Sequence, residues 1–330
     1  MSPRPDSPDQ PLDIHPGSGR VPAIPDHEVI RVIGSGSSGQ IWLARNALGT
    51  FRAVKVVPLA AFKHRRPFER ELNGILRFEP VSRLHDGLVD ILQVGRNEQA
   101  GYFYYVMELA DDVARGQSIV AQTYLPRTLA QDLARLKRLP IAECVRLGAG
   151  IASALGFLHR HGLVHRDIKP ANIIFVKGEP KLADIGLVTD MSEPGLFVGT
   201  QGFIAPEGCG SVRADIYSLG KVLYEASTGL DRAQYPALPA DLEHGAATQE
   251  LMLMNKIILK ACRRQPWYRY QTAEELMSAL LAFRFDKQRL RRLSREQWWA
   301  RLVGILGAIV ALAVVTELVR RLIQLLGTKP

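Results

Sequence analysis

Cysteine is scarce: a chain of 330 residues carries three, Cys144, Cys209 and Cys262, and no two of them form a CxxC pair. That argues against a zinc site or a disulfide framework and fits a reducing compartment. The sequence lacks a basic stretch leading into an apolar core near its start, so no cleavable signal peptide is expected. No internal repeat is evident, which leaves no sign of a repeat architecture. Apolar periodicity is almost missing from residues 1–26, which are rich in Pro, Ser, Asp and Gly; such a stretch cannot repay the entropy of ordering and is expected to be a disordered arm.

The remainder has the composition of a folded protein, 47% hydrophobic and 23% charged, and is long enough for one large or two ordinary domains. The net charge of +9 could suggest nucleic acid. Much of the excess, however, gathers between Arg284 and Arg301 beside an apolar run, so a membrane surface is the expected partner.

From Glu28 the pattern turns β-like, VIRVIGSGSSGQIWLAR followed by FRAVKVV, around a glycine-rich turn. Gly34, Gly36 and Gly39 form GxGxxG, whose bare backbone suits close approach to phosphate oxygens. The same spacing occurs in dinucleotide-binding turns, but there the last glycine opens a helix, whereas here QIWLAR continues as a strand. A plain glycine-rich hairpin without a ligand is the other reading of the motif. Lys55 lies inside an apolar strand, a costly place for an ammonium unless anions meet it. FERELNGILRF has helical spacing, DGLVDILQVG and GYFYYVMEL are strand-like, and helical periodicity marks TLAQDLARL and then Ile141 to His161. Next comes VHRDIKPAN, residues 164–172, where five polar side chains of different chemistry crowd a stretch broken by Pro170. Such a loop on a rigid scaffold is where reacting groups sit.

Taken in order, these parts resemble the eukaryotic-type protein kinases, in their bacterial serine/threonine form, over roughly Asp26 to Phe285. The resemblance implies an α+β, bilobal protein-kinase fold: a small antiparallel β-sheet lobe with one helix (27–107), a hinge (108–110) and a larger, mainly α-helical lobe (111–285). It implies Mg-ATP as phosphoryl donor. By the same resemblance Asp167 accepts the proton of the attacking hydroxyl, Lys169 sits beside the transferred phosphate, and Asn172 and Asp184 bind Mg2+. Gly34, Gly36, Gly39 and Lys55 hold phosphates; Glu71, with Glu69 as the other register, pairs the lysine; Ile41 and Ala53 cover adenine. Met107 is the gatekeeper, and the backbone from Glu108 to Ala110 meets the base.

Asp184 to Gly186 stand where the family has D-F-G, with Ile185 for phenylalanine, and GTQGFIAPE ends the activation segment, with Thr200 bonded to the catalytic aspartate. Thr189 and Ser192 are candidate phosphosites that Arg166 could order. Asp215 is expected at the start of a helix, bracing the catalytic loop, and Arg269 is expected to pair with Glu207. About fifteen residues, 111–127, depart from the family pattern and read as a surface excursion, from which Asp111 or Asp112 could reach the ribose.

A basic juxtamembrane segment (286–301) precedes an apolar run (302–319) and a short tail (320–330). From Trp298 to Val319 there are 22 residues, about 33 Å of helix, enough to cross a bilayer. Trp298 and Trp299 border one end; Arg320 and Arg321 close the other. A hydrophobic docking or dimerisation helix is the competing reading. Seven cations precede the run from Arg284 on and three follow it, placing the kinase domain in the cytoplasm as a single-pass cell-membrane protein. The expected partners are a protein substrate, membrane lipid, and a second copy for trans-autophosphorylation; nucleic acid is not expected. A pseudokinase scaffold and a small-molecule kinase are the rival functions.

Overall fold

The computed structural model describes residues 21–36, 38–184, 189–190, 200–240 and 246–283. Residues 1–20, Ile185, Gly186, Ser192, the basic segment and the apolar C-terminal run lie outside the described residues. The chain divides into a unit over residues 1–281 and a second over 282–330. The architecture below is that of the first.

Strands β1 (His27–Gly36), β2 (Gly39–Asn46) and β3 (Phe51–Pro58) are followed by helix α1 (Arg65–Ser82), β4 (Ile91–Asn97) and β5 (Tyr102–Met107). They form one antiparallel sheet in the order β1-β2-β3-β5-β4. Strand alternation decides which side chains face which layer. Tyr102, Tyr104 and Val106 of β5 join Trp42, Ala44, Val54 and Val56 in one apolar cluster. From the other face Phe103 meets Phe68 of α1 edge-on at 5.1 Å. The expected strand at 86–95 is shorter than its apolar pattern: Leu88 and Val89 leave the sheet, and Val89 N–H donates to Leu182 O at 3.0 Å.

Helices α2 (Leu129–Leu136) and α3 (Ile141–Arg160) open the large lobe. Thr128 caps α2 in a reciprocal box with Gln131, an arrangement that contributes about 1 kcal/mol. After α3 come β6 (Leu163–Val164), the hairpin β7 (Ile173–Val176) and β8 (Glu179–Leu182), β9 (Thr189–Asp190), α4 (Val212–Thr228), α5 (Ala246–Ala261) and a helix over 273–283, α6. Helix α4 is buried along most of its length and packs against α3 and α5. Among the described residues α3 is long and apolar enough to cross a membrane, yet 61% of that stretch is buried inside the protein. It is a core helix.

Helix α4 starts at Val212, three residues before Asp215, and is capped by Ser211 Oγ on Ala214 N–H, with Asp215 in its first turn as expected. One expectation is corrected: the insertion is no loose excursion. Tyr124 and Ala121 pack with Leu43, flanked by Ile30, Ile33, Phe51, Leu109 and Ile119, and Arg31 of β1 donates to the carbonyls of Ala121 (2.7 Å) and Tyr124. Apolar burial on one side and chelated carbonyls on the other fold this segment against the small lobe.

Candidate active site

Two groups of polar side chains face each other across the lobes. The first is built on the loop of residues 164–172, expected to be the catalytic loop. Asp167 is buried, 8% exposed, and accepts at Oδ1 from Thr200 N (3.1 Å) and Thr200 Oγ1 (2.9 Å). At Oδ2 it accepts from Asn172 Nδ2 (2.9 Å) and pairs with Lys169 Nζ (2.7 Å). Lys169 also donates to Thr200 Oγ1 at 2.8 Å. Three residues thus converge on the Asp167 carboxylate, whose orientation is fixed by donors on both oxygens.

The loop itself is tied down from behind. The Asp215 carboxylate accepts the backbone N–H groups of His165 and Arg166, each at 2.9 Å, and lies 2.9 Å from His159 Nε2. Arg166 has φ +70° and Asp184 φ +56°. Side chains disfavour that left-handed region, and both strained residues sit in this site. Further out, Arg269 grips Glu207 through two bonds of 2.6 and 2.7 Å, fixing the end of the activation segment.

The second group comprises Lys55 on β3, Glu71 on α1 and Asp184 after β8. Lys55 Nζ is 2.5 Å from Asp184 Oδ1 and 3.6 Å from Glu71 Oε1. Burial pushes the Lys55 ammonium toward neutrality, but Tyr105, Asp184 and Glu71 outweigh it and hold its pKa well above the ordinary lysine value. Burial would raise Asp184, yet Lys55 holds that carboxyl below its usual range. Glu71 goes the other way: burial raises it more than Lys55 and Ser38 lower it. The difference follows from the distances, since the ammonium commits to Asp184 and leaves Glu71 Oε1 without a hydrogen bond. Glu69 instead pairs with Arg65 and Arg96, so Glu71 is the glutamate that faces Lys55.

The two groups are joined through the backbone, where Ala183 N–H donates to Asn172 O at 2.8 Å. The oxygens of Asp184 and Asn172 suit a hard cation such as Mg2+. Among the described residues no group of three or more His, Cys, Asp or Glu is placed to hold a metal.

In the glycine turn, a side chain at Gly36 would meet nothing within 4 Å and one at Gly34 only Ile41 at 3.6 Å, so open space lies where phosphate would approach. Gly39 is different: a Cβ there would fall 2.1 Å from Val56 O, so β3 alone requires it. Ile41 stands across from Lys55 and Ala53 from Met107 in the sheet. At the hinge, Glu108 N–H is taken by Asp90 O, and Ala110 O by the Tyr124 hydroxyl. Among the described residues Glu108 O and Ala110 N–H have no backbone partner, leaving one acceptor and one donor for a base edge.

Neither insertion aspartate is available to a ribose. Asp111 accepts from Lys177 and Gly178 N–H, and Asp112 from Ala114, Arg115 and Leu125 N–H; both are buried. Such carboxylates satisfy turns rather than ligands. The sequence reading missed His159 and Tyr105. Each lies in an apolar-periodic element, and its polar neighbour is about fifty residues away, so no local spacing could flag either.

A bilobal domain with a lysine–carboxylate pair on one side of a cleft and an aspartate–lysine–asparagine loop on the other has the construction of a phosphotransferase. The chain belongs to the protein kinase domain family, whose model matches residues 27–301. It is 29% identical over 289 residues to serine/threonine-protein kinase PknB of Mycolicibacterium smegmatis, covering 77% of this chain and 42% of that protein. It is likewise 29% identical to serine/threonine-protein kinase PrkC of Bacillus subtilis, covering 80% and 41%. The chain thus spans about two-fifths of the length of these curated relatives.

Proposed function

We propose that this chain is a serine/threonine protein kinase, transferring the γ-phosphoryl group of ATP to protein Ser and Thr hydroxyls. The observation that carries this reading is the Asp167–Lys169–Thr200 triangle standing opposite Lys55 on Asp184. Asp167 takes the proton of the acceptor hydroxyl, an effect typically worth about 10²–10⁴-fold. Thr200 and Asn172 keep its carboxylate aimed, and the Lys169 ammonium offsets charge that develops on the transferred group. Lys55 holds the triphosphate, Glu71 orients Lys55, and the turn at Gly34 and Gly36 lies over the phosphates. Ile41 and Ala53 sandwich the adenine, whose edge meets the backbone of Glu108 and Ala110. Asn172 and Asp184 would hold Mg2+, which supplies neutralisation of phosphate charge. A pseudokinase reading finds no support in residues such a protein would be free to lose, since Lys55, Asp167 and Asp184 are all present. The segment that Arg269 anchors through Glu207 favours a protein acceptor over a small molecule.

We propose further that the run 302–319 anchors the domain to the cytoplasmic face of the cell membrane, on the strength of its apolar length and its flanking charges. Homodimerisation for trans-autophosphorylation, with Thr189 or Ser192 receiving phosphate, belongs to the same reading. The experiment is radiolabel transfer from γ-labelled ATP to a generic protein acceptor, by the wild-type chain and its Asp167→Asn variant. Label on the acceptor that persists in the variant overturns the assignment. For the anchor, the full chain is floated with vesicles in alkaline carbonate; release into the soluble fraction overturns it.

A further inference from the structure

Strand β5 carries three tyrosines, and their hydroxyls fare differently. That of Tyr102 donates to Ala23 O at 2.7 Å, and that of Tyr104 accepts from Gln93 Nε2 at 3.3 Å. The Tyr105 hydroxyl is buried without a hydrogen-bond partner. A phenylalanine would fill the same space with no polar group to desolvate, and an unbonded buried hydroxyl is costly. The position of the ring suggests why it is there. Tyr105 lies directly across from Lys55 in the β3–β5 ladder, so both side chains rise from one face of the sheet. Its ring centroid is 5.9 Å from Lys55 Nζ, and the ring is fully buried. The same pocket holds a second buried atom without a hydrogen bond, Glu71 Oε1, an acceptor that lacks a donor.

A phenol has one proton to give and lone pairs to receive one; a lysine ammonium has three to give, and a carboxylate only accepts. The two orphans and the ammonium are therefore complementary. We propose that Tyr105 is a positioning residue for nucleotide binding: its hydroxyl accepts from the Lys55 ammonium and donates to Glu71 Oε1, keeping both aimed when Lys55 leaves Asp184 for the triphosphate. This rests on the reading that Lys55 holds the triphosphate. The hydroxyl acts on substrate only through Lys55, and it makes the same contribution before and during phosphoryl transfer.

The test is Tyr105→Phe in the full chain, which removes one oxygen and nothing else. The expected result is a KM for ATP raised about tenfold, with kcat within about twofold and the KM for the protein acceptor unchanged, the pattern of lost uniform binding. Calorimetric ATP affinity should fall in step. Thermal stability should stay level or rise, because an unbonded buried hydroxyl has gone. On a Lys55→Met background the same substitution should cost no further affinity. Wild-type ATP affinity in Tyr105→Phe overturns the proposal, as does a loss that persists in the Lys55→Met background. If Lys55→Met itself binds ATP as wild type does, the reading of Lys55 fails first and the role of Tyr105 fails with it; the single variants tell the two failures apart.

Discussion

The two halves of the site are held in different ways. On the catalytic loop every oxygen of Asp167 has its donors, and the loop backbone is chelated from behind by Asp215. Around Lys55 the pairing is incomplete: one short contact to Asp184, one longer to Glu71, and two orphaned polar atoms. A carboxylate with donors on both oxygens is fixed in place, because each bond removed exposes a buried partner; a lysine pocket with unmatched polar atoms has capacity left for a ligand. The contrast teaches that the Asp167 carboxylate is preorganised by the protein, while the Lys55 pocket keeps unmatched groups that the proposed triphosphate would meet.

The hardest blow to that contrast is Asp167→Asn. It keeps the shape but loses the base, and kcat should fall about 10³-fold while calorimetric ATP affinity stays near that of wild type. Retained turnover would move the catalytic role elsewhere. Lys55→Met strikes the other half, and should lower kcat/KM for ATP about a hundredfold with the acceptor loop unaffected. Asp215→Ala asks whether the loop is anchored as tightly as it looks: two buried N–H groups lose their acceptor, and denaturant titration should show a loss of about 3 kcal/mol. A loss below about 1 kcal/mol would mean that the chelation is incidental.

The mildest test concerns pH. Burial raises the Glu71 carboxyl, whereas Lys55 holds that of Asp184 down. As pH falls, Glu71 therefore loses its charge first, while Asp184 stays ionised and keeps Lys55. In Glu71→Gln the acid limb of the pH profile of kcat/KM for ATP should shift to lower pH, at a modest cost in the maximum. An unmoved limb would assign that titration to another group. The stability carried by Asp184 runs in the ordinary acid sense: its depressed carboxyl stabilises the fold at neutral pH, and this is lost only as pH drops through its lowered pKa.

The residues proposed to carry chemistry could be singled out because they are local in sequence. Asp167, Lys169 and Asn172 sit within six positions, and the glycines within six more. Glu71 was left open against Glu69 because both lie on one amphipathic helix, and only the sheet facing it could choose. The insertion misled for a related reason. Its polar residues suggest solvent, whereas Asp111 and Asp112 bond backbone amides of turns and Tyr124 plugs an apolar cluster under β1. Composition records polarity, not where the partner is.

By itself, the sequence determined the order of the elements, the glycine turn, the lysine strand and the loop with its aspartate. All of these are short-range patterns fixed by backbone geometry and solvation. Tertiary structure alone decided which carboxylate takes Lys55, which backbone amides the Asp215 carboxylate holds, and that one tyrosine hydroxyl is left waiting beside the ammonium. Those outcomes depend on distances between residues far apart in the chain, and burial makes each such distance matter far more than it would in water.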